Sequence, residues 1–92
     1  MEIKASYLRM GGEVDFGNYG EYGKDRFRLS LRWNSETRRY EVYKHFFKTL
    51  TSNKETEEVQ CSYISLKLAV QYADQIASDL SNSLWKDEVI ED

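Results

Sequence analysis

The feature that most constrains the fold of this chain is a run in which polar and apolar residues alternate. From Arg26 to Trp33 the sequence reads Arg26, Phe27, Arg28, Leu29, Ser30, Leu31, Arg32 and Trp33. A period of two is typical of a β-strand that buries one face and leaves the other in water. Turn-forming residues occupy 34–38, and residues suited to a second strand continue from Arg39 to Leu50. The sequence therefore predicts a β-hairpin.

The sequences of the two predicted strands also indicate the register in which they pair. Matched apolar pairs and opposite charges across neighbouring strands add stability, and a slip of one residue would turn every side chain to the wrong face. The register that satisfies both requirements pairs Trp33 with Tyr40, Leu31 with Val42, Phe27 with Phe46 and Arg32 with Glu41.

The N-terminal quarter is predicted to contain two strands and a loop. Residues 2–10 alternate imperfectly and are expected to form a strand. A short strand at 13–16 is expected to pair back onto it across two intervening glycines. Residues 16–23 contain three glycines together with Tyr19 and Tyr22, and glycine at that density disfavours a helix. We expect this stretch to be a loop.

The second half of the chain begins with a polar loop and a further strand. Residues 51–57 are polar throughout and predict an exposed loop. Residues 58–64 alternate again, which places Val59, Cys61 and Tyr63 on one face of a strand.

The period then changes to that of a helix from about Ser65 to Ser83. Apolar residues recur at steps of three and four, with polar residues including Asp74 opposite them. The apolar set is Leu66, Ala69, Val70, Ala73, Ile76, Ala77, Leu80 and Leu84. Ser65 is the predicted N-cap, because its hydroxyl can accept from an amide that the first turn leaves unpaired.

This order of elements predicts a two-layer α+β domain, with an antiparallel sheet of three to four strands and one long C-terminal helix on one face. We expect residues 1–92 to form a single domain with an acidic C-terminal tail at 85–92. In that tail Trp85, Val89 and Ile90 are expected to close the bottom of the core. The alternative is that these three residues dock onto a partner or form a homodimer.

Charge is distributed unevenly around a net charge of −3. Residues 24–48 carry eight basic and three acidic side chains, whereas residues 49–92 carry three basic and nine acidic ones. Such asymmetry indicates either a charged partner or neutralisation of the two halves within the fold. No segment approaches the roughly 18 apolar residues of a membrane helix. We expect a cytoplasmic protein without membrane contact.

Residues that could support catalysis are few and poorly placed. The phosphate-loop pattern fails around Gly23 and Lys24, because Asn18 and Asp25 occupy positions that require glycine and a hydroxyl residue. The single His45 and single Cys61 are too few for structural zinc, and Cys61 shares a predicted strand face with apolar residues. We therefore expect no enzyme, no metal and no cofactor.

The hairpin face that the core does not need is the strongest candidate binding surface. It carries Arg26, Arg28 and Arg32 on one strand and Arg39, Tyr43, His45 and Phe47 on the other. Arginine interleaved with aromatic residues suits single-stranded nucleic acid, since bases stack on rings and phosphates need positive charge. The same residue types are enriched in protein interfaces. A third interpretation is a solvated face paired with acidic residues.

The function we expect is that of a small non-enzymatic binding module. It would act stoichiometrically on a protein partner, as an adaptor or inhibitor, through this hairpin face and the nearby tyrosines Tyr19 and Tyr22. The alternative is a single-stranded nucleic-acid-binding domain that uses the same basic and aromatic face. The negative total charge favours the protein partner over the nucleic acid.

Overall fold

A four-stranded antiparallel sheet and one long helix form the two layers of the molecule. The structure is a computed structural model, and it describes residues 2–19, 26–47, 55–81 and 84–92. The sheet consists of β2 (Val14–Tyr19), β3 (Arg26–Asn34), β4 (Arg39–Phe47) and β5 (Glu55–Tyr63) in the spatial order β2-β3-β4-β5. The helix α2 (Leu66–Ser81) packs on one face of it. The predicted α+β class and two-layer architecture are confirmed.

The predicted register of the central hairpin is also confirmed. Strands β3 and β4 are joined by a turn at residues 35–38. Their Cα partners include Trp33 with Tyr40, Leu31 with Val42, Phe27 with Phe46 and Arg32 with Glu41. This register directs Leu29, Leu31 and Val42 toward α2, where they are buried.

The N-terminal region differs from the prediction of a single strand over 2–10. It consists of a short strand β1 (Glu2–Lys4) and a helical turn α1 (Ala5–Arg9). Strand β1 pairs in parallel with β6 (Glu88–Ile90), while β2 pairs with β3 and not with the N-terminal strand. Ala5 and Leu8 are both buried, and their spacing of three is a helical period. The alternation assumed for this segment was therefore wrong.

Strand β2 extends through residues that were predicted to form a loop. It continues to Tyr19, with an irregularity in register between Asp15 and Gly17. Gly17 has φ of 115°, a conformation that favours glycine, and its amide donates to Oδ1 of Asp15 at 2.8 Å. The irregularity is accompanied by complete burial of Phe16. The glycine here permits a bulge in a strand, so the prediction of a loop fails over 16–19.

Strand β5 begins earlier than predicted and contains a second irregularity. It covers Glu55–Tyr63, so part of the predicted loop at 51–57 is strand. Tyr43 pairs with Val59, after a shift in register between Val42 and Tyr43. Val59 consequently lies on the face opposite to Cys61 and is exposed, which corrects the prediction that they share a face.

The predicted helix and its cap are confirmed with small changes at the ends. Oγ of Ser65 accepts from the amide of Leu68 at 3.4 Å, as an N-cap does. Three predictions for the two sides of the helix are wrong. Leu80 and Leu84 are exposed instead of buried, and Asp74 is buried instead of exposed.

The C-terminal segment folds back onto the core. The rings of Trp85 and Phe16 lie 6.4 Å apart, and Val89 pairs with the buried Ile3. Asp92 accepts hydrogen bonds from the amide and hydroxyl of Ser6 at 2.9 and 2.5 Å. These contacts agree with the expectation that Trp85 and Val89 close the core. Among the described residues, no helix has the length and apolar composition needed to cross a membrane.

Candidate functional site

The face of the sheet that points away from α2 carries four of the nine predicted binding residues, namely Arg28, Arg32, Tyr43 and His45. We call it the polar face and define it by Arg28, Ser30, Arg32, Glu41, Tyr43, His45 and Glu57, together with Glu13 and Asp15 at its β2 side. Alternation along β3, β4 and β5 places these side chains on one surface. It is the surface that the sequence predicted, with additional carboxylates around its border.

Arg28 is held by two carboxylates from the region of β2. Its Nη1 forms an ion pair with Oε1 of Glu13 and lies 3.7 Å from Oδ2 of Asp15. The side chain is 22% exposed, and charged hydrogen bonds of this kind are stronger than neutral ones. The positive charge of Arg28 is therefore already matched by acidic groups within the fold.

Arg32, on β3, contacts residues of β4 and β5 and also Glu13, which precedes β2. Its Nη2 donates to Oε2 of Glu57 at 2.8 Å, and its Nε lies 3.5 Å from Oε2 of Glu13. Its guanidinium carbon also lies 4.0 Å from the centroid of the Tyr43 ring, within the range of a cation–π interaction. The hydrogen bond from Arg32 lowers the pKa of Glu57. Both partners are thus charged at neutral pH.

Tyr43 presents its ring on the outer layer of this face. Burial raises the pKa of its phenol, and the neighbouring Glu41 carboxylate raises the pKa further. The hydroxyl therefore stays protonated and can act as a hydrogen-bond donor. A half-buried ring held under a guanidinium is a rigid apolar surface with a polar tip.

His45 belongs to the polar face, but its side chain is buried at the base of that face. Its side chain is 1% exposed, and its Nε2 lies 2.5 Å from Oγ of the buried Ser30. Its Nδ1 lies 3.4 Å from Oε1 of Glu57. His45 therefore supports the surface from below, and it does not offer its ring to a partner.

The remaining predicted site residues occupy the borders of this surface or lie outside it. Arg39 is exposed at the first position of β4, next to the turn. Tyr19 and Phe47 are the last residues of β2 and β4, and Arg26 is the first residue of β3. The side chains of these three residues lie outside the described part of the structure. Tyr22 lies outside the described residues altogether.

Sequence reasoning missed the acidic border of the polar face. Glu13, Asp15 and Glu57 were assigned to neighbouring strands or loops, with no signal that they would contact the arginines. The charge asymmetry of the sequence was the only indication, since neutralisation within the fold was one of its two interpretations. The structure brings Glu57 to Arg32 across the intervening strand β4.

Apart from the polar face, a concave region lies between α2 and the C-terminal segment. It has a volume of about 840 Å³ and contains Asp74 and Asp87 in its lining. The amide of Asp87 donates to Oδ2 of Asp74 at 3.0 Å. Burial and the neighbouring Asp87 side chain raise the pKa of Asp74 to about 6. The hydrogen bond from the Asp87 amide joins the C-terminal segment to the helix.

Cys61 has the properties of a packing residue. It lies against the core, and burial raises the pKa of its thiol to about 11. The thiol is therefore protonated at neutral pH, whereas a nucleophilic cysteine needs a thiolate. Within the described ranges, no group of three or more His, Cys, Asp or Glu side chains is placed to hold a metal ion.

Comparisons of this chain with protein-family models, with curated proteins and with solved structures find no match. A fold class alone does not determine function.

Proposed function

We propose that this chain is a non-enzymatic protein-binding module that acts stoichiometrically on a protein partner, as an adaptor or inhibitor, through the polar face. The observation that carries the proposal is the cluster formed by Arg32, Tyr43 and Glu57. Arginine and tyrosine are the residue types that most often dominate the binding energy of protein interfaces. Here they occupy neighbouring positions on the polar face.

The cluster is organised before any partner arrives. Arg32 is held between a carboxylate and an aromatic ring, and the Tyr43 ring is half-buried beneath it. Immobilising a flexible side chain on binding costs roughly 0.5 to 1.5 kcal/mol. Side chains that are already held avoid part of that loss, which favours binding through this surface.

The charges of the polar face favour a protein over a nucleic acid. Arg28 and Arg32 already contact Glu13, Asp15 and Glu57. Phosphates would have to compete with these carboxylates and would be repelled by them. A protein surface with both signs of charge can pair with the same groups without displacing them. The nucleic-acid alternative is accordingly the weaker one.

The experiment is affinity capture from native lysate, with and without nuclease and at two salt concentrations. We expect a protein partner that is retained after nuclease treatment. Tyr43→Ala should weaken its capture more than Arg28→Glu does, because the ring supplies more contact area than the paired charge. Lys67→Glu is the matched control, since Lys67 is an exposed residue of α2 on the other layer.

Two outcomes would contradict the proposal. Loss of every captured partner after nuclease treatment would indicate nucleic-acid binding. Undiminished capture by a Tyr43→Ala, Arg32→Glu double variant would show that the polar face is a solvated surface without this role.

A further inference from the structure

Two carboxyl groups meet where the C-terminal segment, residues 84–92, lies against α2. Asp74 on α2 is 9% exposed, and its Oδ2 accepts from the amide of Asp87 at 3.0 Å. Its Oδ1 is buried, and no donor among the described residues reaches that oxygen. The side chain of Asp87 lies within hydrogen-bonding reach of the same carboxyl group. The two carboxyl groups therefore face each other at a position where Asp74 is shielded from water.

Keeping two ionised carboxylates together in such a place is unfavourable. Like charges at hydrogen-bonding distance repel each other, and burial removes the water that would screen them. A single proton shared between the two groups removes the repulsion. It also supplies the donor that Oδ1 of Asp74 otherwise lacks. The observed arrangement is therefore most stable when the pair holds one proton.

Other charges around this pair have smaller effects. Burial and the Asp87 side chain raise the pKa of Asp74 to about 6, whereas the Asp87 amide and the α-amino group lower it by smaller amounts. Of the described residues that line the same concave region, Lys67 on α2 and Lys86 and Glu91 on the C-terminal segment are also charged. All three are exposed, and charges on exposed side chains are screened by water and salt.

The C-terminal segment covers apolar surface of the core. The ring of Trp85 lies 6.4 Å from the ring of the fully buried Phe16. The amide of Trp85 donates to Oγ of Ser78 on α2 at 2.8 Å. Val89 packs against the core and pairs with Ile3 of β1. Release of the segment from α2 would expose part of this surface and widen the concave region between them.

We propose that Asp74 and Asp87 share one proton while the C-terminal segment lies on α2, and that transfer of this proton to solvent loosens the segment from the helix. The segment is then a pH-dependent switch, closed at mildly acidic pH and open more often at neutral pH. The switch does not depend on the proposed function, because the polar face lies on the other side of the sheet from α2.

The size of the effect follows from linkage between proton binding and closure. In the released segment the Asp74 carboxyl regains its ordinary pKa of 3.8, whereas in the closed arrangement its pKa is about 6. The stabilisation of the closed arrangement is complete below pH about 4 and is lost as the pH rises through about 6. We therefore expect the opening equilibrium to increase about tenfold between pH 5 and pH 8.

The attachment at the end of the segment does not change over this range of pH. Hydrogen bonds from the amide and hydroxyl of Ser6 lower the pKa of Asp92. Asp92 is therefore ionised at both pH 5 and pH 8, and a response between these values has to come from another group.

The experiment is hydrogen exchange of the whole chain, followed by NMR at pH 5 and pH 8. The amides of Trp85 and Asp87 report on the segment, because both donate to side chains of α2. Amides at the centre of β3 and β4 are the reference. After correction for intrinsic exchange rates, the protection of the two segment amides should fall about tenfold from pH 5 to pH 8. It should stay below that of the reference amides, because the segment opens without global unfolding.

A titration of the side-chain carboxyl carbons by NMR tests the shared proton directly. We expect one group of the Asp74 and Asp87 pair to titrate near pH 6 in the unmodified protein. Titration of both groups below about pH 5, close to the range of ordinary carboxyls, would overturn the inference.

Two substitutions imitate the protonated pair. In Asp74→Asn and in Asp87→Asn, the new amide can donate to the carboxylate that remains. Each variant should keep at pH 8 the protection that the unmodified protein has at pH 5. Asp79→Asn is the matched control, since Asp79 is exposed on the same helix, and it should retain the pH response. His45, the single histidine, is unchanged in all three variants, so a response that came from it would persist.

Three exchange results would overturn the inference. The first is a change in protection of less than about twofold between pH 5 and pH 8. The second is equal protection of the segment and reference amides, which would mean that the segment opens only on global unfolding. The third is a full pH response in both asparagine variants. The first two results, like the carboxyl titration, come from the unmodified protein and do not require that the variants fold.

Discussion

The guanidinium carbon of Arg32 lies 4.0 Å from the centroid of the Tyr43 ring, and the same guanidinium donates to Glu57. These three residues belong to three neighbouring strands, β3, β4 and β5. The register of the sheet therefore determines the composition of the cluster. A shift of one residue in either strand pair would turn one member to the other face.

The ion pair between Arg32 and Glu57 is expected to contribute little to the free energy of unfolding. Arg32 and Glu57 have half-exposed side chains, and ion pairs at such positions contribute about 0.2 to 1 kcal/mol. A double-mutant cycle with Arg32→Ala and Glu57→Ala, followed by urea unfolding, should give a coupling energy within that range. A coupling above about 2 kcal/mol would show that the pair stabilises the fold and is not primarily a binding surface.

A prediction about the hydrophobic core concerns Leu31, which is fully buried between the sheet and α2. Leu31→Ala should lower the free energy of unfolding by about 2 to 5 kcal/mol, because it removes packing and leaves a cavity. Ile76→Ala should lower it less, since Ile76 is only partly buried. Leu84→Ala is the control and should change it by less than about 0.5 kcal/mol. Equal effects of Leu31→Ala and Leu84→Ala would contradict the assignment of the core.

The buried carboxyl of Asp74 makes stability depend on pH. Its pKa is raised from 3.8 to about 6 in the folded state, so the folded protein binds this proton more tightly than the unfolded chain does. The stabilisation is fully present below pH about 4 and is lost as pH rises through about 6. Asp74→Asn should remove this dependence and raise the unfolding free energy at pH 7 by roughly 1 to 2 kcal/mol.

Chemical denaturation between pH 4 and pH 8 measures this effect. Asp79→Asn is the control, because Asp79 lies on the exposed side of the same helix. An Asp74→Asn variant that keeps the pH dependence of the unmodified protein would show that another group is responsible.

The central hairpin and α2 could be predicted because both are encoded by local periodicity. The alternation at 26–33 and the helical spacing after Ser65 each repeat several times, and each repeat adds to the signal. The pairs Leu31 with Val42 and Trp33 with Tyr40 followed from the same alternation. The N-cap at Ser65 could be predicted for the same reason, since it immediately precedes the change of period.

Other features depended on contacts between distant parts of the chain. Strands β1 and β6 are three residues each and pair in parallel from opposite ends of the sequence, so neither has a local pattern. The irregularity opposite Tyr43 shifts Val59 to the polar face, and nothing in the alternation of β5 marks it. Asp74 occupies a polar position of the helical pattern but is buried beneath the C-terminal segment.

The acidic border of the polar face belongs to this second group. Glu13 precedes β2, and Glu57 lies on β5, so both reach the arginines of β3 only after the sheet has formed. The sequence identified the basic and aromatic half of the surface. It could not identify the carboxylates that neutralise it.

The salt dependence of the complex that this protein captures tests the central claim most directly. A protein partner bound through the polar face should remain after nuclease treatment, and its affinity should fall less than about tenfold between roughly 50 and 200 mM salt, since Arg28 and Arg32 are already paired. A single-stranded nucleic acid contacted through six or more phosphates would lose about three-hundredfold or more over that range. Such a steep loss, or release of the partner by nuclease, would contradict the account.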